Sequence, residues 1–260
     1  MNQMPAGAER ECLPLKLIDT HAHLDEIRDP EGALTRAREA GVKAVVAVGA
    51  DRPSNERVLE LAARFPAFVL PSLGIHPWRL EGMDLEANIR FIEKEIPRCL
   101  ALGEVGLDFA VYTPREKQEE ALGRILAIAS RERKPVLLHA RRAWGEAFRM
   151  LESRKIEKAV FHWYSGPPEV LQEIIARGYF ISATPAAAYS ARHREAILAA
   201  PPGQLLLETD CPEVYRGQAS EPKDILLTLG AVSEIKGLPP EEIAAQTFLN
   251  TVRFFQLPPL

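Results

Sequence analysis

The sequence has no run of about 18 consecutive apolar residues, which removes a membrane-spanning helix from consideration. Cysteine is scarce: 260 residues contain three, Cys12, Cys99 and Cys211, an odd count with no C-x-x-C pair. That excludes a disulfide framework and points to a reducing compartment. Residues 1–14 carry neither a long apolar stretch nor a signal-peptide pattern, so a loose tail and a cytoplasmic protein are expected. Neither sign of charge is in large excess: 32 Lys and Arg stand against 36 Asp and Glu, a net charge of −4. This excludes a protein that coats nucleic acid by bulk charge, and leaves room for a local basic patch or a metal site that meets phosphate. No linker or low-complexity tract interrupts the chain. What is present is globular: 47% hydrophobic and 26% charged residues supply a sizeable core, and the length suits one large domain.

From Leu15 onward, short β-rich runs alternate with helical patterns. LKLIDTHAHL reads as a strand, and Asp29-Pro30 opens a helix that Gly41 closes. VKAVVAVG, FVLPSLGI, CLALGEVG, PVLLHA, KAVFHW, YFISAT and QLLLETD read as seven further strands, each followed by a helical stretch. Thr113-Pro114-Arg115-Glu116 predicts a capping box at the start of the fourth helix. Strand–helix alternation implies parallel βαβ units. Eight units fit a closed (β/α)8 TIM barrel over residues 15–256, with 257–260 as a short tail.

In such a barrel the active site lies at the C-terminal ends of the strands. Five of the six histidines fall at predicted strand ends: His21, His23, His76, His139 and His162. So do the carboxylates Asp19, Glu104, Glu208 and Asp210, with Asp108 in the loop after the fourth strand. The H-x-H spacing puts His21 and His23 on one face of a strand. A lone strand histidine is more often a satisfied core residue than a ligand, but a set converging on one edge is not. Four imidazoles with Glu104 and Asp210 form a costly cluster unless a divalent cation compensates. Six ligands exceed one tetrahedral zinc site and suit two metals that share a carboxylate.

Other features are softer. His193, in the polar helix SARHREAILAA, reads as a surface residue. Cys211 reads as a small buried thiol. Arg141 and Arg142 can hold a phosphate or form a solvated basic turn pairing with Glu146. Trp163 and Tyr164 can stack a base or form the wall of a pocket, the wall being the simpler reading. RERK at 131–134 reads as a helix end. Glu208 has the parity of Asp210 and receives no role.

IDTHAHLD, GIHPW, GEVGLDF, HAR, HWYSG and ETDCP, in that order, closely resemble the signature segments of the TatD family of metal-dependent hydrolases, from Leu17 to Phe255. The resemblance implies an amidohydrolase-like TIM barrel with deoxyribonuclease activity of 3′–5′ exonuclease type. It implies that His21, His23 and Asp210 bind one metal, that His139 and His162 bind a second, and that Glu104 bridges them. It places His76 near substrate and Arg141 on a phosphate. Two divalent ions are expected, Zn2+, Mn2+ or Mg2+, with Asp210 and Glu104 as the catalytic carboxylates and Asp210 taking the proton of the attacking water. The partner is a DNA 3′ end or a small phosphodiester or ester; a monomer is expected. The chain departs from the family at Trp163-Tyr164 and in the loop EVYRGQASEPKD, where only Glu221-Pro222 survives of a longer segment. Two other classes stay open: hydrolysis of a small ester, lactone or amide on the same scaffold, and a non-enzymatic binding protein. Glu104, standing where many amidohydrolases use a modified lysine, favours the phosphodiester, and intact ligands argue against the binding protein.

Overall fold

The computed structural model describes residues 15–259; Cys12 and the expected tail at 1–14 lie outside the described residues, as does Leu260. The described chain opens with β1 (Leu17–Ala22), α1 (Pro30–Glu39), β2 (Val42–Val48), α2 (Arg52–Arg64), β3 (Val69–Ile75) and α3 (Leu85–Glu95). It continues with β4 (Ala101–Asp108), α4 (Arg115–Glu132), β5 (Val136–Arg141), α5 (Trp144–Ser153), β6 (Ala159–Phe161) and α6 (Pro168–Ala176). β7 (Phe180–Ala183), α7 (Ala191–Ala199) and β8 (Leu205–Leu207) follow. A two-stranded hairpin, β9 (Val214–Tyr215) and β10 (Gln218–Ala219), then precedes α8 (Ile225–Lys236) and α9 (Pro240–Phe255).

The first eight strands form one sheet in the order β1 to β8, all neighbours parallel. The strands are apolar on both faces, as β2 shows: all of VKAVVAV except Lys43 is buried. Only a sheet covered by helices outside and packed inside tolerates that pattern. Each helix turns an apolar stripe onto the sheet; α2 buries Val58, Leu59 and Leu61. At α1 the expected start is present: Asp29 accepts from the Gly32 N–H at 3.0 Å and Pro30 fills the first helical position.

The seam between β1 and β8 is closed by side chains and loops. Asp19, wholly buried, accepts hydrogen bonds from the Thr209 N–H (3.0 Å) and the Thr209 hydroxyl (2.6 Å). The Thr20 hydroxyl donates to the Leu207 carbonyl at 3.0 Å. Above them the Asp210 N–H donates to the His21 carbonyl (3.0 Å) and the His23 N–H to the Cys211 carbonyl (2.7 Å).

Four expectations need correction. His193 is fully buried, on the same face of α7 as Ala196 and Ile197. Its i, i+3, i+4 phase outweighs its charged neighbours. It is satisfied as a neutral ring: Nδ1 donates to the Tyr164 carbonyl at 2.7 Å, and Nε2 accepts from the Thr184 N–H at 3.2 Å. The capping box at Thr113 does not form, because α4 starts one residue later with Pro114 at the cap, which has no hydroxyl to offer. Gln118 braces that loop instead, its amide bonding the Asp108 N–H and the carbonyls of Asp108 and Thr113. β4 does not end at Glu104 but runs on to Asp108. β8 stops at Leu207, so Glu208 and Asp210 belong to the following turn and strand parity does not apply to them.

Candidate metal centre

The mouth of the barrel gathers every residue of the expected cluster. His21 lies in β1, with His23 just beyond it; His76 follows β3 and His162 follows β6. Glu104 and His139 lie within β4 and β5, and Asp210 sits in the turn after β8 with φ of +53°. Glu104 reaches the mouth from mid-strand because β4 is irregular there, with register shifts against both neighbours. Two glycines allow this. A Cβ on Gly74 would stand 2.2 Å from the Glu104 carbonyl oxygen, and one on Gly106 1.8 Å from that of His139.

The geometry around Glu104 divides by oxygen. Oε2 lies 3.4 Å from His21 Nε2 and 3.2 Å from His23 Nε2. Each of these nitrogens is also 3.6 Å from Asp210 Oδ1. Oε1 lies 2.9 Å from His139 Nδ1, 3.0 Å from His162 Nε2 and 3.4 Å from His76 Nε2. The two nitrogens of His139 and His162 face each other at 3.3 Å. Ligand atoms around one divalent cation have such spacings, since bonds to imidazole nitrogen run about 2.0–2.1 Å. His21 is fully buried and neither ring nitrogen has a hydrogen-bond partner, an arrangement that costs energy without a cation.

The electrostatics say the same. Burial would raise the Glu104 pKa, yet the charges of His76, His162 and His21 and the His139 hydrogen bond hold it well below the usual carboxylate range. Asp210 is lowered too: burial opposes, and His23, His162 and His21 prevail. Burial would lower the pKa of His23, but hydrogen bonds to Asp210 and Glu104 hold it well above the ordinary value. His162 is raised in the same way against burial, by Glu104 and Glu208. Without a cation His23 and His162 therefore take up protons beside the two buried carboxylates. A divalent ion replaces that charge and leaves the rings neutral, as ligation requires.

His76 behaves differently. Burial pushes its pKa down to about 4. Its Nδ1 accepts from the Trp78 N–H at 3.2 Å, so in the neutral ring the proton sits on Nε2, the atom that faces Glu104. A protonated Nε2 is a hydrogen-bond donor and not a ligand. Arg141 lines the same cleft, half exposed, with Nη1 3.9 Å from Asp108.

Two residues received no role from the sequence. Asp108 accepts from Trp78 Nε1 at 2.5 Å and faces His139 Nε2 at 3.4 Å. Burial notwithstanding, these bonds hold its pKa down to about 2. Glu208 faces His162 Nδ1 at 3.3 Å and accepts from the Trp163 N–H at 3.1 Å. Each of these histidines is thus oriented from behind by a carboxylate. Parity offered a signal for Asp108, which shares the face of Glu104 and Gly106. Of the expected wall, Trp163 lines the cleft, whereas Tyr164 is buried, its hydroxyl donating to the Pro167 carbonyl at 2.6 Å. Glu221 pairs with Arg36 of α1, through contacts of 2.6–3.0 Å, and so fastens a loop. Cys99 and Cys211 are buried free thiols.

The profile of the TatD-related DNase family matches residues 18–256. The chain belongs to that family. It is 32% identical over 260 residues to the human deoxyribonuclease TATDN3, covering 92% of this chain and 94% of the relative. It is 31% identical over 246 residues to the 3′-5′ ssDNA/RNA exonuclease TatD of Erwinia tasmaniensis, covering 88% and 95%. The crystal structure of the TatD homologue YjjV from Escherichia coli K12 superposes with a TM-score of 0.86 at 29% identity, over 93% of this chain and 98% of that one. As a TatD-family barrel, the chain is a metal-dependent hydrolase by descent. Among the described residues no helix is long and apolar enough to cross a membrane.

Proposed function

We propose that the protein is a two-metal phosphodiesterase that removes nucleotides from a DNA 3′ end. The observation that carries this reading is the division of Glu104, one oxygen toward His21 and His23 and the other toward His139 and His162. Asp210 completes the first group. The imidazole-rich donor set favours Zn2+ or Mn2+ over Mg2+, which prefers oxygen. Two such cations supply Lewis acidity at the phosphoryl oxygens and acidify bound water.

The chain's own residues do the rest. Asp210 turns Oδ1 toward His21 and His23, which leaves Oδ2 to orient the attacking water and take its proton. His76 donates from Nε2–H to a phosphoryl oxygen, and its depressed pKa keeps it neutral at working pH. Arg141 pairs with a non-bridging oxygen at the mouth. Glu104 holds the two ligand groups in register.

The test combines metal analysis with an end-labelled single strand. Purified protein is expected to carry close to two divalent ions and to shorten a 5′-labelled single-stranded DNA from the 3′ end, with chelator stopping the reaction. A well-folded, metal-loaded protein that leaves both the strand and a chromogenic phosphodiester intact would falsify the reading.

A further inference from the structure

The cleft in front of the histidines has a volume of about 840 Å3, far more than one phosphate needs. Its walls differ in charge. On the side of β8 and β1 the lining includes Glu213 and Glu26. On the side of β5 to β7 it includes Arg141, Arg142 and Arg192, together with Trp144 and Trp163.

The arginines are not equivalent. Arg79, also in the lining, donates to Glu26 at 3.0 Å, and Arg141 leans on Asp108 at 3.9 Å. Arg142 and Arg192 have no ion-pair or hydrogen-bond partner among the described residues. The acid expected to neutralise the β5 turn, Glu146, pairs instead with Arg149 at 3.4 Å. Two unneutralised guanidiniums therefore face a cleft already lined on its floor by phosphate chemistry.

Their placement adds to this. β5 and β7 flank β6 in the sheet, so Arg142, in the loop after β5, and Arg192, in the first turn of α7 after β7, stand on either side of the loop that carries Trp163. Trp163 is held in place: its N–H bonds Ser182 Oγ and Glu208 Oε1, and its ring packs on Tyr215 with centroids 5.6 Å apart. A fixed indole bracketed by free guanidiniums suits a nucleobase on the ring and a phosphate at the cations. Opposite them Glu26 is neutralised by Arg79, and Glu213 alone disfavours a phosphate on that side.

We propose that Arg142 and Arg192 form a second phosphate subsite, one nucleotide from the phosphate at the histidine cluster, with the intervening base against Trp163. This rests on the phosphodiesterase reading and specifies its substrate: a single-stranded chain with at least two phosphates, in preference to a lone diester.

Two measurements test it. The first compares a dinucleotide that has only its internal phosphate with the same dinucleotide phosphorylated at the 5′ or at the 3′ end. The metal-loaded wild type is expected to show a kcat/KM at least about tenfold higher for one phosphorylated form, the scale of a charged hydrogen bond. The Arg142→Gln/Arg192→Gln double variant should bring that ratio to about one. A wild type without preference, or a variant that keeps it, overturns the proposal.

The second measurement needs no turnover. All three tryptophans of the chain, Trp78, Trp144 and Trp163, line this cleft, so intrinsic fluorescence reports on it. In chelator-treated protein a nucleoside monophosphate should quench the signal, and the double variant should need at least about tenfold more of it. No quenching in the wild type, or equal affinity in the variant, removes the subsite. Inorganic phosphate binding as tightly as the nucleotide removes the base from the assignment, and with it the proposal. If the loaded wild type hydrolyses no diester at all, the phosphodiesterase reading fails and the fluorescence arm alone decides the subsite.

Discussion

The two sides of the Glu104 carboxylate differ in what stands behind them. On the Oε1 side, His139 and His162 each have a carboxylate at their far nitrogen, Asp108 and Glu208. On the Oε2 side, neither nitrogen of His21 has a hydrogen-bond partner, and no carboxylate stands behind its far nitrogen. A backing carboxylate fixes the tautomer and raises ligand basicity. The Oε1 half is therefore braced by protein alone, whereas the Oε2 half would need a cation to complete it. The half that is left loose is also the half that holds Asp210, the residue proposed to move the proton.

The largest effect should come from removing what the halves share. Glu104→Gln is expected to lose both cations and to lower activity by about 10³-fold or more, a loss of several kcal/mol of charge stabilisation. Metal stoichiometry beside circular dichroism reads this, and two tightly bound ions in the variant would end the bridging role. Next comes Asp210→Asn, assayed at saturating metal. A fall on the order of 10²-fold that excess metal does not rescue supports a role with the proton; full rescue reduces Asp210 to a ligand. Asp108→Asn and Glu208→Gln sharpen the contrast between the halves. Each should weaken one cation by about 10–100-fold and spare the other, so competition with a graded chelator should resolve two unequal sites in the wild type and a narrower gap in the variants. Equal loss at both sites would dissolve the comparison.

The smallest effect on the site should come from a histidine that belongs to neither half. His193→Leu leaves two buried backbone groups unpaired and should cost about 2–4 kcal/mol of stability while the folded fraction keeps its activity. Burial lowers the His193 pKa from 6.5 to about 4. Between those values the unfolded chain binds a proton that the folded chain does not, so wild-type stability falls as the pH drops through this window and levels off below it. The leucine variant lacks that slope. The stability gap between the two should close by on the order of 3 kcal/mol from pH 6.5 to 4 in denaturant titrations; a constant gap would mean that His193 titrates normally.

The strands and the convergence of their histidines were legible because period-two placement and apolar runs are local properties. His21 and His23 share a face by spacing alone, and the family segments recur in order. Glu104 was legible as a mouth residue but not as a mid-strand one, since its irregular strand depends on Gly74 and Gly106 meeting neighbours distant in sequence. His193 was misread because the charges beside it are more conspicuous than its phase. Asp108 and Glu208 were legible as carboxylates near the mouth, but their places behind His139 and His162 depend on residues far apart in sequence. The same holds for Arg142 and Arg192, which share a cleft because the loop after β5 and the start of α7 converge on it, and no spacing along the chain encodes that.

The seam between β1 and β8 has a further consequence for when the protein becomes active. Asp19 and Thr209 are 190 residues apart, and the Asp210 N–H reaches back to the His21 carbonyl across the same junction. Contacts between the two ends of a chain are the slowest to find each other. Asp210 joins His21 and His23 only when the ring shuts, so a chain that ends short of Asp210 holds Glu104 and the five mouth histidines but lacks the residue proposed to take the proton. In that order of assembly the proposed proton acceptor is the last of the cluster to arrive.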